Sequence, residues 1–156
     1  WTRSAALRSP LTPAVRRLPM RSLAFRTNAS CGLSFEWLLD GQSLPGLLGV
    51  PEADRYMPYS LWLHGLPSGA SIDEEDEGRI LIAACSCGET GCGRTTASIT
   101  DTGARITLSA FFSDSLDTQA ELEFTVSAAD FHRCVATMAD AARTHHGLSD
   151  SERCTP

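Results

Sequence analysis

No lysine occurs among the 156 residues, and Asn28 is the only asparagine. The missing lysine removes several chemistries at once: a Schiff-base nucleophile, an anchor for pyridoxal phosphate and the lysine of a phosphate-binding loop. Arginine and alanine take over, a usage that GC-rich coding produces. Long apolar runs are missing too. Nothing approaches the ~18 consecutive apolar residues of a membrane span, so a soluble chain is expected. There is no H-E-x-x-H and no G-x-S-x-G elbow, which leaves Ser68 as a loop residue between Pro67 and Gly69. Gly88, Gly91 and Gly93 run in the reverse order of the dinucleotide fingerprint, and β-prone residues follow where a helix is required.

Acids are missing from one end. Residues 1–30 carry six arginines and no Asp or Glu; residues 31–156 carry seven arginines against nineteen acids, a net of −12. Phosphate neutralisation needs clustered cations, so this acidic body argues against a nucleic-acid surface. Asp73-Glu74-Glu75-Asp76-Glu77 lacks the alternate spacing and central glycine of a calcium loop and reads as a solvated run. At 42% hydrophobic, the chain suits one domain. Residues 1–27 read as a disordered Arg-rich leader, because Pro10, Pro13 and Pro19 break any amphipathic helix and no secretory apolar core follows Arg16-Arg17. Residues 28–147 form the expected domain and 148–156 a flexible tail.

Within that domain, Leu33, Phe35, Trp37 and Leu39 alternate with Ser34, Glu36 and Leu38, the period of a half-buried strand. Asp40-Gly41 is a turn signal. Prolines and glycines over 42–59 predict a loop with at most one short helical turn, and Ser60–His64 a short strand. In that loop, Tyr56-Met57-Pro58-Tyr59 is a candidate partner-binding patch. A meander follows over Ile80–Cys85, Arg94–Thr100 and Arg105–Phe111, with a further strand over Glu121–Val126. Ser127 and Asp130 fit an N-cap and its third-position acid. Phe131, Val135, Met138, Ala139 and Ala142 then make one helical stripe, stopped at Gly147. The predicted class is α+β: a small antiparallel sheet with a C-terminal helix packed on one face.

Three of the six cysteines fall in one turn, Cys85-Ser86-Cys87-Gly88-Glu89-Thr90-Gly91-Cys92-Gly93. An apolar run enters it and a Thr-rich stretch leaves it, the pattern of a β-hairpin with thiols at its tip. Zinc takes four N or S ligands in a tetrahedron, and glycines let a backbone curl around the ion. Cys85, Cys87 and Cys92 supply three donors. A fourth must come from afar, and Cys134 beside the helical stripe or His64 are the best placed; Cys31 and His132 are further choices. Two other readings stand beside zinc: a disulfide or redox pair using Cys87 and Cys92, and reduced cysteines acting as small hydrophobes. His145-His146 at a helix end reads as dipole complementation, not as a metal site.

On Cys85, Cys87, Gly88, Gly91, Cys92, Gly93 and the meander after them, about a third of the chain, the sequence resembles small uncharacterised bacterial proteins of actinobacterial type. These carry a Cys-x-Cys-Gly-x-x-Gly-Cys-Gly hairpin between strands. The resemblance implies the hairpin and no activity. The functional expectation is a non-enzymatic, cytoplasmic binding module, partnered by another protein and not by nucleic acid or membrane, with zinc at the hairpin. A thiol redox protein or sensor, and an acidic immunity- or inhibitor-type partner of a basic protein, are the alternatives.

Overall fold

In the computed structural model of the chain, residues 19–28, 32–60, 79–85, 93–116 and 118–147 are described. They form two sheets and a long C-terminal helix, an α+β arrangement as expected. The strands are β1 (Met20–Arg21), β2 (Leu23–Asn28), β3 (Ser34–Leu39), β4 (Gln42–Ser43), β5 (Met57–Pro58), β6 (Arg79–Ala84), β7 (Arg94–Asp101), β8 (Arg105–Ser113), β9 (Thr118–Ala120) and β10 (Phe124–Ser127). A single-turn helix α1 (Leu44–Leu47) follows β4, and α2 spans Ala128–His146.

The larger sheet has the order β1-β10-β8-β7-β6, with β9 also on β8. Its ladders are antiparallel except that β1 runs parallel to β10. The smaller sheet is β2-β3-β4, with β5 on the same edge of β3 as β4. The leader expected over 1–27 therefore ends early, since residues 20–28 are strands that serve both sheets. Leu23 and Phe25 explain this: Leu23 is buried in the core, and Phe25 meets Phe35 edge-on at 5.9 Å. That apolar alternation was obscured by the surrounding arginines. Residues 61–64 of the short expected strand, and the acidic run 73–77, lie outside the described residues.

Asp40 and Gly41 both adopt positive φ (+49° and +80°) and form the two-residue turn joining β3 to β4. The Asp40 carboxylate accepts from the Ser22 amide at 2.8 Å and from the Arg21 guanidinium. These bonds, the amide first, hold its pKa below the usual value. The β1–β2 corner is thereby fastened to the β3–β4 turn.

One core lies between the two sheets and α2, lined by Leu23, Trp37, Leu44, Ile80, Ile82, Leu108 and Phe131. Trp37 stacks on Phe131 of α2, centroids 6.0 Å apart and planes 5° from parallel. α2 opens at Ser127, whose Oγ accepts from the Asp130 amide, and closes at Gly147, whose amide donates to Arg143. Its buried residues are Ala128, Phe131, Cys134, Met138 and Ala142, so the buried stripe is rotated slightly toward Cys134. Val135 and Ala139 flank it, half-buried.

Two bulges bend the large sheet. Register shifts by one residue between Leu81 and Ala83 on β6, and again where Ala97 of β7 faces Ala110 and Phe111 of β8. Ile80, Leu81, Ile82, Ala83 and Ala84 are all buried, so both faces of β6 are covered there. At the second, Ala110 takes φ +47°, an uncommon conformation for a side chain with a Cβ. Arg79 fastens it. Its guanidinium donates to the Ala110 carbonyl (2.7 Å), Thr96 Oγ1 (2.9 Å) and Ser98 Oγ (2.9 Å), spanning three strands.

Candidate functional site

β6 and β7 are antiparallel neighbours, with Ala84 opposite Arg94. The next residues close the neck of the hairpin: the Cys85 amide donates to the Gly93 carbonyl at 2.8 Å. The thiol cluster thus begins where the ladder ends, as the sequence predicts. The neck is braced on two sides. The Ala84 amide donates to the Tyr56 carbonyl (3.1 Å), tying β6 to the approach of β5. On the other side, the Asp114 amide donates to the Arg94 carbonyl (2.9 Å), and the two side chains pair at 3.4 Å.

Gly93 has a steric reason to be glycine. A Cβ there would sit 3.3 Å from Ser115 Oγ, tighter than ordinary contact, and 4.0 Å from the Cys85 Cβ. Ser115 in turn donates to the Asp54 carboxylate at 3.0 Å. Cys85 is half-buried in this crowded neck. Cys31, Cys87, Cys92 and His64 lie outside the described residues. Among the described residues, no group of three or more His, Cys, Asp or Glu side chains converges as a metal site would require.

Cys134 is placed elsewhere. It is buried on α2, and its thiol donates to the Leu23 carbonyl at 3.5 Å. Burial pushes its pKa up, against a smaller lowering by Arg133. A thiol so held is a poor thiolate donor. Its raised pKa also carries a sign. The folded chain keeps the proton longer than the unfolded one, so this contribution to stability is intact below the ordinary thiol pKa of about 8.5 and is lost as pH rises through the folded value. Cys134→Ala is expected to flatten the loss of stability above about pH 8.5, read from urea midpoints across a pH series. Identical alkaline slopes in the two proteins would remove this assignment.

His132 is exposed, with Nε2 3.9 Å from Asp101 Oδ2. His145 lies in the last turn of α2, as expected, and its Nε2 accepts from the Leu33 amide at 3.3 Å. Its ring meets Tyr59 edge-on at 4.7 Å. Within the Tyr56–Tyr59 segment Met57 is fully buried and Pro58 pairs with Ser34, while Tyr56, Pro58 and Tyr59 are half-buried.

A second polar cluster was not legible as special. Glu36 sits opposite Arg26 in the β2–β3 ladder and is fully buried. The Arg26 guanidinium donates to Glu36 Oε2, while Oε1 has no hydrogen-bond partner among the described residues. Hydrogen bonding and charge from Glu36, then a smaller contribution from Tyr56, raise the Arg26 pKa. Strand alternation placed Glu36 on the polar side, where solvent was the natural expectation. Only the register with Arg26, inside the supposed leader, could have signalled a pair.

No family model, curated protein or solved structure matches this chain. Among the described residues no helix is long and apolar enough to cross a membrane.

Proposed function

We propose that this protein is a non-enzymatic binding module whose Cys-rich hairpin carries a structural zinc, with Cys85, Cys87 and Cys92 as ligands. One observation carries the reading: the Cys85–Gly93 backbone bond closes the hairpin at the first residue of the cluster. Cys92 is covalently joined to Gly93, so its Cα lies about 3.8 Å from that of a residue facing Cys85. Thiolates tethered this closely hold zinc without long-range reorganisation. His64 is the better fourth donor, because the Cys134 thiol is engaged in the core with the Leu23 carbonyl. A metal-held thiol set suits the reducing cytoplasm, and the partner class is another protein.

Elemental analysis of the purified chain tests this. About one zinc per chain is expected, lost in Cys85→Ser and Cys92→Ser and retained in Cys134→Ser. A zinc content under about half an equivalent would count against a tight site. If a zinc-free chain also lost two thiols to mild peroxide, the redox reading with Cys87 and Cys92 would replace it.

A further inference from the structure

The large sheet opens beside the β8 bulge. β8 pairs Phe111 with Ala120 of β9 and Leu108 with Phe124 of β10. Residues 109 and 110 therefore face three residues, 121–123, that join no ladder. The mismatch leaves an open groove of about 380 Å³, lined by Ser109, Ala110, Ala120, Glu121, Leu122 and Glu123. Glu121 and Glu123 are exposed, and neither makes an ion pair or hydrogen bond among the described residues. Two uncompensated carboxylates on an acidic body attract a cationic occupant.

β1 lies beside β10 on the edge opposite β8, one strand away from the groove. Met20 and Arg21 run parallel to β10, beside Thr125 and Val126. Arg16 and Arg17 precede Pro19 by three and two residues, at most about 11 Å of extended chain, before the length of their own side chains. Residues 1–18 hold Arg3, Arg8, Arg16 and Arg17 and no acid.

We infer that this groove is the docking site of the chain's own Arg-rich segment 1–18, with Arg16 and Arg17 neutralising Glu121 and Glu123. The covalent tether favours this occupant over any separate basic chain, because a short linker sets an effective concentration in the millimolar range. Exposed ion pairs of this kind weaken with salt. The groove is then self-masked, and a basic partner binds there only by displacing the segment.

Limited trypsin digestion of the full chain, with cleavage after each arginine followed by mass spectrometry, tests the inference. At low ionic strength, cleavage after Arg16 and Arg17 should be about tenfold faster in Glu121→Gln/Glu123→Gln than in the unaltered chain, as expected for two exposed ion pairs. High salt should bring the unaltered chain to the same fast rate. Both substitutions are at exposed positions, and an unchanged thermal midpoint would exclude unfolding as the cause. Equal cleavage rates in the two proteins at low salt would overturn the inference. Protection that grows with protein concentration would overturn it in favour of a second copy in the groove. Equal rates with saturable binding of an added oligoarginine peptide would overturn it in favour of a separate basic partner.

Discussion

Trp37→Ala is expected to remove about 3–5 kcal/mol of folding free energy, the range for deleting a large buried aromatic side chain. Trp37 is 1% exposed at the centre of β3, stacked on Phe131 and bordering residues from both sheets. The substitution empties a position in the core that residues of β2, β6, β8 and α2 also line. Measured against a total stability of about 5–15 kcal/mol, the loss is a large fraction. At roughly 2–4 °C per kcal/mol for a chain of this size, the thermal midpoint should fall by about 10 °C. Trp37→Phe keeps an aromatic face on Phe131 and should lose much less. A loss below about 1 kcal/mol for the alanine variant would mean that the two sheets do not share this core.

The second large effect lies at Arg26. Removing one partner of a buried pair leaves a charge without compensation, which costs about 3–5 kcal/mol in enclosed sites. Over half of the Arg26 side chain is exposed, so water screens part of this, and about 2–3 kcal/mol is expected for Arg26→Ala. Glu36→Gln preserves shape and removes the charge. The double variant Arg26→Ala/Glu36→Gln should therefore recover most of the loss, with a coupling of about 2 kcal/mol in a double-mutant cycle. Denaturant midpoints with unchanged slopes provide the reading. An Arg26→Ala variant within about 0.5 kcal/mol of the unaltered chain would show that Glu36 does not need the guanidinium.

These two residues mark where sequence reasoning succeeded and where it stopped. Trp37 belongs to an alternating run, and its burial follows from that period. Glu36 belongs to the same run, yet the period assigned it to solvent. Its charge is met by Arg26 in register across the ladder, which local patterning does not report. The hairpin neck at Cys85 and Gly93 was legible because an apolar strand, a glycine-rich turn and a Thr-rich strand are contiguous. The groove at 121–123 was not. It arises from an extra residue where β9 gives way to β10, and the expected strand over Glu121–Val126 ran straight through it. The helical stripe was read correctly apart from a small rotation toward Cys134, since a cysteine counts as apolar only when its surroundings make it so.

Turns, caps and strand periods were decided by the sequence alone: the Asp40-Gly41 turn, the Ser127 cap with Asp130, the Gly147 stop and the β6–β7 hairpin. Each depends on backbone groups a few residues apart, so neighbouring side chains suffice to select it. The tertiary structure decided that there are two sheets, that Met20 pairs in parallel with Thr125, and that Cys134 and His145 are held by Leu23 and Leu33. Those contacts join residues more than a hundred positions apart. Their free energy exists only once the chain has closed those long loops, and no local period encodes which distant edge will be waiting.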